Sequence, residues 1–155
     1  MELENILKEL PCQDGIILAG DFNASVGKPN NSPCLGNAAL IQSTNPKGKR
    51  LIEICELFNM KIGNTFFKHP IHHIMTYKSP SFDTTSQIYY FVISTKILKW
   101  VRDNRVVSKL NHTLFTDYYP LGCELRINNS IFPNHIKQMS HQCKIHSQKR
   151  LGTAQ

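Results

Sequence analysis

Residues 16–27 read "IILAGDFNASVG", an apolar run that stops at a glycine, an acid, an aromatic residue and an amide. A short apolar run bounded by turn residues suits a buried strand. Asp21 and Asn23 then stand off its end. A carboxylate there must leave water or sit at its edge, which is costly unless a cation or hydrogen-bond donors compensate. The stretch therefore reads as a strand that delivers polar side chains to a site. The plainer alternative is that Asp21 only closes the strand, since Asp and Asn are common turn formers.

Working outward, Leu3, Ile6, Leu7 and Leu10 fall at helical spacing, and "CQDG" turns that helix into the strand beginning at Ile16. After it, "VGKPNNSPCLGN" is rich in Gly, Pro, Asn and Ser, the composition of a long surface loop beside the Asp21 end of the strand. "GKRLIEICELFN" restores helical spacing, with Leu51, Ile54, Cys55 and Phe58 on or near one face and Arg50, Glu53 and Glu56 free to face out. Beyond it "KIGNTFF", "IMTYKS", "QIYYFVIS", "NRVVS" and "PLGCELRI" are β-branched or aromatic runs separated by turn residues. That pattern predicts a mostly antiparallel sheet.

A length of 155 residues suits one domain with a genuine core, and 41% apolar residues argue against wholesale disorder. The division expected is a folded part over residues 1–127 and a basic, disordered tail over 128–155, where no hydrophobic period is sustained. Of the net charge of +7, residues 1–124 hold 13 basic against 11 acidic side chains, or +2, and residues 125–155 hold five basic and no acidic ones, or +5. A basic end of that kind favours polyanions through phosphate contacts, with Lys137, Lys144, Lys149 and Arg150 as the candidate nucleic-acid-binding residues. The five cysteines, at 12, 34, 55, 123 and 143, form no CxxC pair and give little support to a disulfide framework. They read as reduced thiols. The opening "MELENILKEL" lacks the basic and apolar regions of a signal peptide, and no run approaches the roughly 18 apolar residues of a membrane helix. The expected location is intracellular, nuclear or cytoplasmic, with no membrane partner and no secretion.

Several segments, taken in order, carry a resemblance. They are "LAGDFNASVG", "GKRLIEICELFNMKIGNTFFKHPIHHIMTYKSP", "QIYYFVIS" and "VRDNRVV", across roughly residues 14–121. Together they resemble the C-terminal half of the endonuclease/exonuclease/phosphatase (DNase I-like) superfamily. Within it, they are most similar to the endonuclease of RTE-type non-LTR retrotransposons and of craniofacial development protein 2-like host proteins. The resemblance implies a layered α/β (α+β) sandwich, mostly antiparallel sheets flanked by helices. As only the C-terminal half is matched, it implies a partial fold lacking the N-terminal half that supplies a metal-binding Glu.

The activity implied is metal-dependent phosphodiester hydrolysis of DNA, with magnesium as the ancestral cofactor. Such chemistry needs an oriented water, a group to accept its proton and positive charge on the developing phosphorane. The motif match carries the water-orienting Asp onto Asp21 and the phosphate-contacting Asn onto Asn23. An i, i+2 spacing on a strand would let both point at one substrate. Two later positions depart from the family pattern. Tyr89, in "QIYYFVIS", stands where relatives carry an Asp. Thr116-Asp117-Tyr118 stands for their "SDH", so Asp117 is retained, also as the candidate metal ligand, while Tyr118 replaces the His. In relatives that Asp orients the His and supports its charged form. With both members gone, the reading is a degenerate endonuclease-like domain, inactive or very weak. The alternative is a non-catalytic nucleic-acid-binding or protein-interaction module.

Two His/Cys clusters have spacings close enough for zinc ligands. "KHPIHH" holds His69, His72 and His73 inside the matched region, where an ordinary inter-strand loop is expected; "HQCKIH" holds His141, Cys143 and His146 without the paired spacings of a finger. Trp100, beside Lys99 and Arg102, could stack on nucleic acid, though burial near the core is the commoner fate of a lone Trp.

Overall fold

The computed structural model describes residues 2–11, 14–28, 31–40, 43–79, 84–107 and 118–126. Asp117, the tail from 128 onward and the "HQCKIH" cluster lie outside the described residues. Helix α1 (Glu2–Glu9) leads into strand β1 (Ile17–Asp21), and helix α2 (Pro46–Leu57) follows the long loop. Short strands then succeed one another: β2 (Met60–Ile62), β3 (Tyr77–Lys78), β4 (Thr85–Ser86) and β5 (Tyr89–Ser94). A single helical turn, α3 (Thr95–Leu98), precedes β6 (Val101–Val106) and β7 (Leu121–Leu125). No described helix is long and apolar enough to cross a membrane.

One predicted strand is shorter than expected. "KIGNTFF" is extended only to Ile62 and then tightens into a 3₁₀ turn, Gly63–Phe66. The reason is packing: a Cβ at Gly63 would lie 2.4 Å from Asn104 Nδ2 and 2.7 Å from Ile93 Cδ1, so only glycine lets the turn come this close.

The central sheet has the order β1-β5-β2, antiparallel throughout. Since alternate residues of a strand face opposite ways, β5 divides into Tyr90 and Val92 on one face and Tyr89, Phe91 and Ile93 on the other. The first pair joins the main core with Leu51, Ile54 and Cys55 of α2 and with Ala24 and Val26. The second face meets Ile97 of α3 and Val101 of β6, with Ile17, Trp100 and Cys123 partly buried against them. Trp100 is thus a packing residue, with Lys99 Nζ 5.3 Å from its ring. Helix α2 starts cleanly because Asn45 caps it, its Oδ1 accepting from Gly48 N at 2.7 Å, and Pro46 occupies the first turn.

Asn104 on β6 is buried to 2% exposure, yet neither its Nδ2 nor its Oδ1 has a hydrogen-bond partner among the described residues. An unpaired buried amide costs about 1–3 kcal/mol. Asn104→Leu, which keeps the Cγ-branched shape and removes both polar atoms, is expected to raise the melting midpoint by roughly 4–10 °C in a thermal denaturation followed by circular dichroism.

Candidate functional site

The register of β1 on β5 sets Asp21 directly opposite Tyr89. Directly opposed residues share a face with side chains about 5 Å apart, so the last carboxylate of β1 and the first ring of β5 stand together. Phe22 N continues the ladder by donating to Ile88 O at 3.1 Å. The chain then turns sharply: Asn23 has φ +48° and its N–H donates to Asp21 Oδ1 at 2.8 Å. An Asn tolerates the left-handed region better than most residues, and an Asp two positions earlier commonly accepts in this way.

The shared strand face expected for Asp21 and Asn23 is therefore not what juxtaposes them. Asn23 lies beyond the strand, and the pair is held by a turn closed through the Asp21 carboxylate itself. Asp21 is both the strand-closing turn residue and an exposed carboxylate with its other oxygen uncommitted to that bond. The two readings of this residue describe one geometry.

Residues with no obvious chemistry in the sequence hold this corner rigid. Tyr90 is fully buried, and its hydroxyl lies 2.8 Å from Gln87 O, 3.1 Å from Ala24 O and 3.3 Å from Val26 N. With one proton it donates to one carbonyl at a time while accepting from Val26. Its phenol is pushed above the usual range by burial, so it stays a neutral linker. Asn64 takes over where β2 ends: its Oδ1 accepts from Phe91 N at 2.9 Å and its Nδ2 donates to Tyr89 O at 3.3 Å. Thr76 Oγ1 accepts from Ile88 N at 2.9 Å and Tyr89 N at 3.1 Å. Backbone positions 88–91 are thus fixed from both sides.

Tyr118 reaches the same place along a different path. It forms an isolated antiparallel bridge with Tyr77, and Tyr119 N donates to Thr76 O at 2.9 Å. Its ring lies parallel to that of Tyr89, at 7° with centroids 5.7 Å apart, and tilted 38° from Tyr77 at 5.3 Å. An offset parallel pair is a favoured aromatic arrangement. Tyr118 remains 45% exposed, so the stack sits at the surface. Burial raises the Tyr89 phenol above its ordinary range, and negative charge on Asp21 and Tyr118 adds to the rise. At neutral pH Tyr89 is accordingly an uncharged hydrogen-bond donor.

The structure thus brings together Asp21, Asn23, Tyr89 and Tyr118 from three parts of the chain. Among the described residues no group of three or more His, Cys, Asp or Glu side chains could hold a metal ion. Magnesium is ordinarily held by one or two carboxylates, waters and substrate phosphates; at this corner the described residues offer Asp21, one of whose oxygens is already hydrogen-bonded. The described donor set does not fit a resident magnesium. The other His cluster is structural: His69 Nε2 lies 2.6 Å from Asp103 Oδ1 and His73 Nδ1 lies 3.0 Å from Val106 O, tying the 3₁₀ turn Ile71–His73 to β6.

No family model matches the chain. Craniofacial development protein 2 of Bos taurus is 33% identical over 91 residues, which are 59% of this chain and 15% of that protein. The same protein of Tragulus javanicus is 32% identical over 91 residues, 59% of this chain and 16% of its own length. The chain therefore spans about one-sixth of these curated relatives. Among solved structures, the endonuclease domain of TRAS1, a telomere-specific non-LTR retrotransposon, superposes with a TM-score of 0.55 at 11% identity, covering 82% of this chain and 50% of that one. The likeness to the TRAS1 domain shows the fold, an α/β, DNase I-like one.

Proposed function

We propose that this relative of the DNase I-like endonucleases is a nuclease-derived domain that engages DNA but hydrolyses it very weakly or not at all. The observation that carries this reading is the parallel Tyr89–Tyr118 stack beside Asp21. At the two positions where the resemblance implies a charge-bearing Asp–His pair, the chain has two phenols packed on each other. Neither carries positive charge, and the raised Tyr89 phenol holds its proton more tightly still. A phenol can donate a hydrogen bond but cannot give a phosphorane the charge of an imidazolium. Magnesium enters as the ancestral cofactor, held weakly if Asp21 and Asp117 are its carboxylates. The setting is intracellular, nuclear or cytoplasmic.

Binding without cleavage is the expected result when the full chain is titrated onto duplex DNA by fluorescence anisotropy and tested for plasmid nicking with magnesium. The affinity should fall with salt, and replacing Lys137, Lys144, Lys149 and Arg150 together by Gln should flatten the logarithmic salt slope by roughly 3. An unchanged slope would show those four residues to be passengers. Failure to bind duplex DNA at low salt would remove the DNA-engaging half of the reading. Magnesium-dependent nicking lost in Asp21→Ala would remove the other half.

A further inference from the structure

Away from this corner, two thiols lie together in the core with no part in the proposed function. Cys34 belongs to the loop after β1 and is 1% exposed; Cys55 sits in the last turn of α2 and is fully buried. Cys34 Sγ is 3.9 Å from the carbonyl of Ile52, one turn before Cys55, and the two thiols are near enough to shift each other's ionisation. Both belong to one cluster with Leu51, Ile54 and Met60, whereas Cys123 packs in the other. The loop cannot drift from the helix freely: Cys34 O accepts from Ile62 N at 2.9 Å, and Gly36 N donates to Thr65 Oγ1 at 2.8 Å.

Access is provided at one rim. Ser32 Oγ stands 3.1 Å from Cys34 Sγ and 2.5 Å from Glu56 Oε1, an exposed hydrogen bond between the loop and the helix. Cys34, whose Sγ touches Ser32, lies nearer that exposed rim than the fully buried Cys55. We infer that Cys34 and Cys55 form an oxidisable dithiol, a modification site whose two-electron oxidant is a small peroxide.

The roles follow from the surroundings. The neighbouring Cys55 thiol, then the Ser32 hydroxyl 3.1 Å away, eases ionisation of Cys34 against its burial, and the Cys34 thiol together with burial holds Cys55 protonated. The Cys34 thiolate sulfur attacks one peroxide oxygen; an S–O bond forms, the O–O bond breaks, and the departing hydroxide takes a proton to become water. Cys55 then loses its proton and attacks the Cys34 sulfenic sulfur. The S–S bond forms, the S–O bond breaks, and the second hydroxide leaves as water with that proton. Two thiols are oxidised by two electrons and one peroxide is reduced to two waters. The product staples the loop that follows Asn23 to the helix beneath it.

The test uses the full chain, reduced, then treated with hydrogen peroxide at neutral pH, alkylated in denaturant and mapped by mass spectrometry. Expected is a peptide pair joined through Cys34 and Cys55, reversible by dithiothreitol, with Cys12, Cys123 and Cys143 alkylated. The cross-link should form at least ~10-fold faster in the folded chain than in urea, because the fold holds the sulfurs together. Cys55→Ser should stop at a sulfenic acid on Cys34 that dimedone traps, while Cys34→Ser should leave Cys55 unlabelled at the same dose. Alkylation of both thiols after peroxide has oxidised the others, cross-links of either to a different cysteine, or equal rates in urea would each overturn the inference.

Discussion

Plasmid nicking in magnesium is expected to run at least ~10³-fold slower with this chain than with the TRAS1 endonuclease domain at equal concentration, a loss of about 4 kcal/mol of transition-state stabilisation. The loss is electrostatic. An imidazole held by a carboxylate supplies, at neutral pH, both a proton and a positive charge to the developing phosphorane, and residues that act as such a unit fail together when either is lost. Where the resemblance places such a pair, this chain holds the stacked phenols of Tyr89 and Tyr118, centroids 5.7 Å apart, the first raised in pKa by burial and by Asp21. Neither supplies the charge. A Tyr89→Asp, Tyr118→His double variant separates the causes, and each single variant should recover nothing. Tyr89→Asp alone would also set a second carboxylate opposite Asp21, raising the pKa of one of the two. Nicking recovered by the double variant assigns the loss to the pair. Nicking by the unaltered chain within tenfold of the TRAS1 domain would refute the prediction.

How far this corner was readable from sequence depends on the range of the interactions. The helix of "GKRLIEICELFN" rests on local periodicity and stands where the pattern puts it; the strand of "IILAGD" also forms, but it runs from Ile17 through Asp21 instead of ending at Ala19, and it is half-buried to exposed where a buried strand was expected. Asp21 as a turn-closing acid was equally local. The pairing of Asp21 with Tyr89 joins residues 68 positions apart, and no periodicity encodes such a register. Tyr90 shows the limit well. An aromatic ring suits a strand, but the Tyr90 hydroxyl bonds to backbone at Ala24 and Val26, which only the fold brings near. Asn64 and Thr76 escaped notice for a similar reason. The Asn inside "KIGNTFF" is a side chain doing a strand's hydrogen bonding, and its one visible sign is a buriable amide among apolar neighbours. Asp103 was likewise invisible as the partner of His69.

Gly48→Ala reverses the usual sign of its substitution, and it tests whether the segment after Asn23 is as tightly seated as its contacts imply. In an ordinary helix this change stabilises by about 1 kcal/mol, because alanine has the better propensity. Here a Cβ on Gly48 would lie 2.0 Å from Ser25 O and 2.9 Å from Thr44 Cγ2. The obstacle is backbone, and that backbone cannot step aside without loss: Ser25 O accepts from Asn45 N at 3.1 Å, Ser25 N donates to Asn45 Oδ1 at 3.1 Å, and Gly27 N donates to Thr44 Oγ1 at 3.0 Å. Making room would break that set together with the cap of α2. Overpacking against fixed backbone costs roughly 1–3 kcal/mol, and the broken cap about 1 more. The net expectation is a destabilisation of about 3 kcal/mol, read as a fall of roughly 10 °C in melting midpoint. Because the same bonds position Asn23 through Ala24, DNA affinity at 25 °C, where the variant remains folded, should weaken as well if this corner contacts the duplex. A melting midpoint unchanged or raised would mean that residues 24–27 yield easily, and that the rigidity assigned to the Asp21 corner is not real.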